Sequence, residues 1–137
     1  MIVVDTNTLA YHWFISPHIQ AVKELLYFDG DWAAPALWRS EFRNVLASQI
    51  HFNKLTLTDA MTIWDETEKL MIRNEQSVSA SSILSLAASS KCTAYDCEYV
   101  ALADQLNVPL VTYDKQLLKN FSTIALTAEQ YLSQFTK

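Results

Sequence analysis

Short apolar runs alternate with stretches of helical periodicity from one end of this chain to the other, and that alternation leaves few folds open to it. Ile2-Val3-Val4 has the character of a buried strand, and in PHIQAVKELLYF a helical pattern opens at Pro17, whose ring suits a first turn. A short strand follows at Trp32–Pro35, then helices over about residues 37–52 and 58–72, with Thr56 or Thr58 in the loop NKLTLT available to cap the second. The serines of VSASSILSLAASS are interleaved with apolar residues, so residues 79–90 read as a helix rather than a linker. Next come a helix carrying Asp96, a strand over residues 109–112, a short helix, the strand-like STIAL and a closing helix from Thr127. This order predicts an α/β fold with a mostly parallel sheet, in which function collects at the carboxyl ends of the strands.

Composition narrows the chemistry. A chain of 137 residues that is 50% hydrophobic is enough for one core, so residues 1–137 are expected to form a single domain. No run of about eighteen uncharged apolar residues occurs, and Asp5 stands where a signal peptide would carry basic charge, so a soluble cytoplasmic protein with no membrane contact is expected. Cys92 and Cys97 have the spacing of neither a zinc knuckle nor a CxxC pair and are expected to be small buried apolar residues. The net charge of −5 argues against a broad basic face laid along duplex nucleic acid. One glycine, Gly30, cannot build a phosphate loop or a dinucleotide fingerprint, and His12, His18 and His51 lack metal-site spacing.

The acids are less easily accommodated. The run IVV stops at Asp5-Thr6-Asn7 and the run PLV stops at Thr112-Tyr113-Asp114, so two strands deliver a hydroxyl and a carboxylate to the same edge. A strand-end aspartate alone reads as a helix cap or turn former. In the helix from Leu37, Trp38, Phe42, Val45 and Leu46 share a face, and Glu41 flanks that stripe on its core side. Asp96 lies within an apolar stripe formed with Tyr99, Val100 and Ala103, while Glu98 and Gln105 face away. A carboxylate so placed must be paired, hydrogen-bonded, bound to a cation or protonated. For Asp96 the simpler account is a first-turn acid satisfied by backbone donors and the helix dipole.

Gathered at one edge, Asp5, Glu41, Asp96 and Asp114 would repel one another by several kcal/mol per pair at about 4 Å, so a cation is expected to share the site. Oxygen ligation without His or Cys suits Mg²⁺ or Mn²⁺ rather than zinc, and such an ion leaves positions for water and phosphate. Phosphodiester hydrolysis follows as the expected chemistry. Arg39, Arg43, Lys115 and Lys119 adjoin the acidic motifs and are candidates for holding flanking phosphates, although solvated surface charge is the simpler reading of each.

With VVDTNTL near the start, SEFRNVL in the middle and TAYDCEYVALADQLNVPLVTYD towards the end, in that order and at those spacings, the chain resembles the PIN-domain nucleases, and among them the VapC-type toxins of toxin-antitoxin modules. The resemblance implies a three-layer PIN-like sandwich with a central parallel sheet and an endoribonuclease that leaves a 5′-phosphate and a 3′-hydroxyl. It further implies dependence on one or two Mg²⁺ or Mn²⁺ ions, with Asp5, Glu41, Asp96 and Asp114 as the acidic quartet and Thr6, Asn7 and Thr112 as supporting neighbours. A homodimer and a cognate VapB-like antitoxin lying across the helices near the site are implied as partners. Gln116 stands where many relatives carry a further acid, which bears on a second metal position.

The aromatic residues, with Ala60, Met61, Trp64 and Met71 on one side of a helix, read first as core and second as a partner surface. Two other functions fit parts of the pattern. One is a PIN-like scaffold that binds RNA or protein without cutting. The other is a phosphoreceiver domain, although the adjacent acids it needs after its first strand are missing and the Asp of PLVTYDK has no place in it.

Overall fold

A computed structural model describes residues 1–136. Five strands, β1 (Ile2–Val4), β2 (Trp32–Pro35), β3 (Glu75–Gln76), β4 (Leu110–Val111) and β5 (Ala125–Leu126), form one sheet in the order β3-β2-β1-β4-β5, every pair parallel. The chain advances from β1 to β3, then jumps back across β1 to β4. With right-handed crossovers that reversal lays helices on both faces, giving the three-layer α/β sandwich anticipated from the sequence. A phosphoreceiver sheet runs 2-1-3-4-5 instead, so the signalling reading is set aside.

The connecting helices are α1 (Thr6–Trp13), α2 (Ile19–Phe28), α3 (Leu37–Asn53), α4 (Leu57–Met71), α5 (Ala80–Ala88), α6 (Ala94–Leu106), α7 (Lys115–Asn120) and α8 (Ala128–Ser133), with one 3₁₀ turn at Ile72–Asn74 before β3. The strands are short and apolar because they are covered on both faces: every residue of β1, β2 and β4 is buried. Against them pack Leu9, Leu25, Trp38, Phe42, Met71, Val100 and Leu102. Cys92 and Cys97 are free and buried, and burial pushes the Cys97 thiol up, in keeping with the apolar role expected of both.

Three elements differ from the sequence expectation. Helix α1 directly follows β1, where no helical stripe announced it. Pro17 lies outside α2, which begins at Ile19. Strand β3 is two polar residues long and exists through its pairing with Ala34 and Pro35 of β2. Of the two threonines offered as caps for α4, Thr56 takes the role, accepting from the Asp59 amide at 3.1 Å.

Candidate active site

Parallel register decides where the first acids stand. Val3 lies opposite Leu110 and Val4 opposite Val111, so Asp5 and Thr112 leave the sheet side by side at the carboxyl edge. The order of strands reverses about β1, which makes this edge the topological switch point of the sheet. The Thr112 hydroxyl donates to Asp5 Oδ2. Asp5 Oδ1 accepts from the Thr8 amide at 3.0 Å and is 2.8 Å from the Thr8 hydroxyl, so Asp5 also caps α1. Asp114 caps α7 in the same way, Oδ1 accepting from the Leu117 amide at 3.0 Å, while its own amide donates to Thr112 Oγ1 at 3.0 Å. Capping and site-building are therefore carried by the same two side chains.

The other two acids come from helix starts at that edge. Helix α3 begins just after β2 ends, which places Glu41 little more than one turn from the sheet. Helix α6 leads into β4, so its start lies at the carboxyl edge. There Thr93 caps it, accepting from the Asp96 amide at 3.1 Å and fixing Asp96 in the first turn. Asp96 is half-buried, and no backbone donor is bonded to its carboxylate among the described residues, so the simpler account of a dipole-satisfied acid does not describe its hydrogen bonding.

Asp5, Glu41, Asp96 and Asp114 line one cavity of about 230 Å³, together with Thr6 and Asn7. Burial holds the Asp5 carboxyl above the ordinary carboxylate range. The Thr112 and Thr8 hydrogen bonds oppose that shift, and the Asp114 charge adds to it. Asp96 is raised by its burial, then by the Asp114 and Glu41 charges. Among the described residues no Lys or Arg forms an ion pair with any of the four. Nor, among those residues, are three or more His, Cys, Asp or Glu side chains grouped closely enough to hold a metal ion as they stand. The lining carboxylates are thus uncompensated by protein cations.

Three lining residues lie outside the predicted site, the apolar Val45 and the polar Asn44 and Tyr99. Asn44 and Tyr99 each follow an acid, Glu41 or Asp96, by three residues on the same helix, and that spacing was the available signal. In the sequence Tyr99 reads only as part of an apolar stripe. Its hydroxyl donates to Glu41 Oε1 at 2.6 Å and lies 2.8 Å from Thr6 Oγ1.

The four basic candidates stand apart from this cavity. Arg39 is committed to Glu75, with its Nε 2.5 Å from Oε1, and to Glu68, and its guanidinium lies over the rings of Trp38 and Trp64. It braces α3 against α4 and β3 rather than standing free for phosphate. Arg43 lies 5.4 Å from the Trp64 ring centre, on the groove between α3 and α4. Lys119 lines a separate cavity with Lys91 and Gln116, and Lys115 is exposed in the first turn of α7.

The fold is shared with solved structures. PAE2754 from Pyrobaculum aerophilum superposes with a TM-score of 0.75 at 19% identity, covering 97% of this chain and 94% of that one. FitAcB from Neisseria gonorrhoeae gives 0.73 at 17%, covering 94% and 99%. A toxin-antitoxin complex from Klebsiella pneumoniae gives 0.67 at 16%, covering 93% and 98%. The sequence matches no curated protein. The family model described as PIN domain matches residues 2–122, nearly the whole length over which the five strands and the acidic cavity are built. The chain belongs to the PIN-domain family.

Proposed function

We propose that this protein is a Mg²⁺- or Mn²⁺-dependent endoribonuclease and the toxin of a VapBC-type pair. The single observation that carries the reading is the convergence of Asp5, Glu41, Asp96 and Asp114 on one cavity without a basic residue to balance them. Two of these acids are pushed towards protonation by burial and by their neighbours, a cost that a divalent cation removes. Carboxylates that line a cavity without closing tightly on one point suit an ion that keeps several waters and takes few carboxylates, as Mg²⁺ does. Asp5, Asp96 and Asp114, with Glu41, would hold one or two such ions.

A bound divalent ion supplies an acidified water and charge neutralisation at the scissile phosphate. The chain's own contribution is positional. Thr112 and Thr8 fix the Asp5 carboxylate from both sides, and the helix cap fixes Asp114. Asn7 and Asn44 are exposed on the cavity wall and offer uncharged amide donors to the phosphodiester or a ribose hydroxyl. Arg43, Lys115 and Lys119 remain as contacts for more distant phosphates, with Arg39 withdrawn by its glutamates.

The partner reading rests on a groove of about 310 Å³ between α3 and α4, walled by Leu46, Ile50, Leu57, Met61 and Trp64. Met61 and Leu57 are exposed there, whereas Ala60 and Met71 of the same helix are buried, so the apolar side of α4 serves core and surface together. A VapB-like antitoxin segment is the proposed occupant, by analogy with the toxin-antitoxin complex of the same fold. A homodimer in the cytoplasm completes the proposal; no helix among the described residues is long and apolar enough to cross a membrane.

The test is cleavage of RNA by the purified full chain in Mg²⁺ or Mn²⁺, abolished by chelation. Asp5→Asn and Asp96→Asn are each expected to lose at least about 100-fold in rate, as loss of a metal ligand does. Full activity of either variant, or of the chelated protein, would refute the proposal. Gln116, exposed and hydrogen-bonded to Asn120 rather than facing the acids, favours one alternative, a PIN scaffold that binds RNA without cutting. Tight RNA binding with no cleavage in Mn²⁺ would establish it.

A further inference from the structure

Glu41 is the one acid of the four whose carboxylate is held entirely by side-chain hydroxyls. Its Oε1 accepts from Tyr99 at 2.6 Å and from Thr6 at 2.9 Å, and those two hydroxyls lie 2.8 Å apart. Among the described residues nothing donates to Oε2, and Glu41 lines the cavity. Tyr99 is almost wholly buried on α6 and Thr6 is buried at the start of α1, so the clamp ties three elements to one oxygen. The Tyr99 hydroxyl donates to Oε1, and the Thr6 hydroxyl stands within hydrogen-bond distance of both Oε1 and the Tyr99 oxygen, so the cluster engages Oε1 and leaves Oε2 to the cavity.

We infer that Tyr99 is a positioning residue that makes Glu41 a one-oxygen ligand, and that it thereby selects a small octahedral cation over Ca²⁺. The inference rests on the metal-dependent reading above. A carboxylate with one oxygen fixed by two hydroxyls presents the other at a set angle, as near-ideal octahedral geometry at Mg²⁺ requires. Ca²⁺ tolerates two-oxygen carboxylate ligation and variable coordination, so releasing Oε1 costs it nothing.

The experiment is calorimetric titration of the full chain, stripped with chelator, with Mg²⁺ alone and with Ca²⁺ alone. Tyr99→Phe, which keeps the ring and removes the hydroxyl, is expected to weaken Mg²⁺ binding about tenfold, the usual loss for an outer-shell hydrogen bond. Its Ca²⁺ affinity should stay within about twofold, so the Mg²⁺/Ca²⁺ preference falls, a result that loss of packing alone would not produce. If Tyr99→Phe does not fold, Thr6→Val, which removes the other hydroxyl from the same oxygen, carries the same expectation. Equal Mg²⁺/Ca²⁺ preference in wild type and variant would overturn the role of Tyr99 and leave the nuclease reading standing. Failure of the wild type to bind either cation would overturn both.

Discussion

Asp5 accepts hydrogen bonds on both carboxylate oxygens and is still held above the ordinary carboxylate range by its burial. Asp96 is raised by burial too, with less hydrogen bonding to offset it and with Asp114 and Glu41 adding like charge. In the cation-free protein both groups bind a proton more tightly folded than unfolded. Their contribution to stability is therefore full below the unfolded value of 3.8 and is lost as pH rises through the higher folded values. Asp96→Asn cannot ionise and escapes this loss. In chelator it should melt at about the wild-type temperature near pH 4. At neutral pH it should melt higher than the wild type, because the wild-type carboxylate is then charged in a partly buried place beside Asp114 and Glu41. Thermal scans across pH check this, and saturating Mg²⁺ should reverse the order at neutral pH, because only the wild type keeps its full ligand set. An Asp96→Asn variant that is no more stable at pH 7 in chelator would mean that Asp96 bears no repulsion. These acids were legible in the sequence because each interrupts an apolar pattern. Tyr99 was not, since a tyrosine inside such a pattern looks like core until its hydroxyl is seen to meet Glu41.

At the scale of elements, helix starts do most of the placing. Thr93, Thr56, Ser79 and Thr127 each accept from the amide three residues on, and Thr127 with Gln130 completes a capping box. The Thr93 cap bears directly on the site, because the amide it holds belongs to Asp96. Thr93→Ala should cost about 1 kcal/mol in urea unfolding. Cleavage by Thr93→Ala should fall roughly tenfold even where the protein stays folded, since outer-shell support of a ligand is removed. Wild-type cleavage in this variant would show that the first turn of α6 holds itself. The long helices were readable from periodicity, whereas α1 was not. Its buried side is Thr6, Thr8, Leu9 and Ala10, two of them β-branched hydroxyl residues with weak helix propensity, and the Asp5 cap with the packing of Leu9 stabilises it. Strand β3 is polar and two residues long, so only β2 beside it reveals it.

The whole molecule rests on a narrow central layer. Strand β4 contributes just Leu110 and Val111, both fully buried, yet it pairs with β1 and β5 and sets the register that brings Thr112 to Asp5. Leu110→Ala should destabilise by about 2–5 kcal/mol, a large part of the 5–15 kcal/mol typical of a domain. Denaturant titration measures it, and a loss below about 1 kcal/mol would mean that the layer repacks around the gap. The alternating α/β order and the parallel sheet were legible along the chain because burial imposes periodicity, the four acids stood out as candidates against that pattern, and the motifs around them carried the resemblance to PIN domains. Which side chains meet at the sheet edge depends on the folded chain. Register set Asp5 against Thr112, and helix packing brought the Tyr99 and Thr6 hydroxyls to one oxygen of Glu41. The same packing drew Arg39 away to Glu68 and Glu75. These contacts join residues from about 30 to more than 100 positions apart, and a one-dimensional pattern carries no measure of such distances.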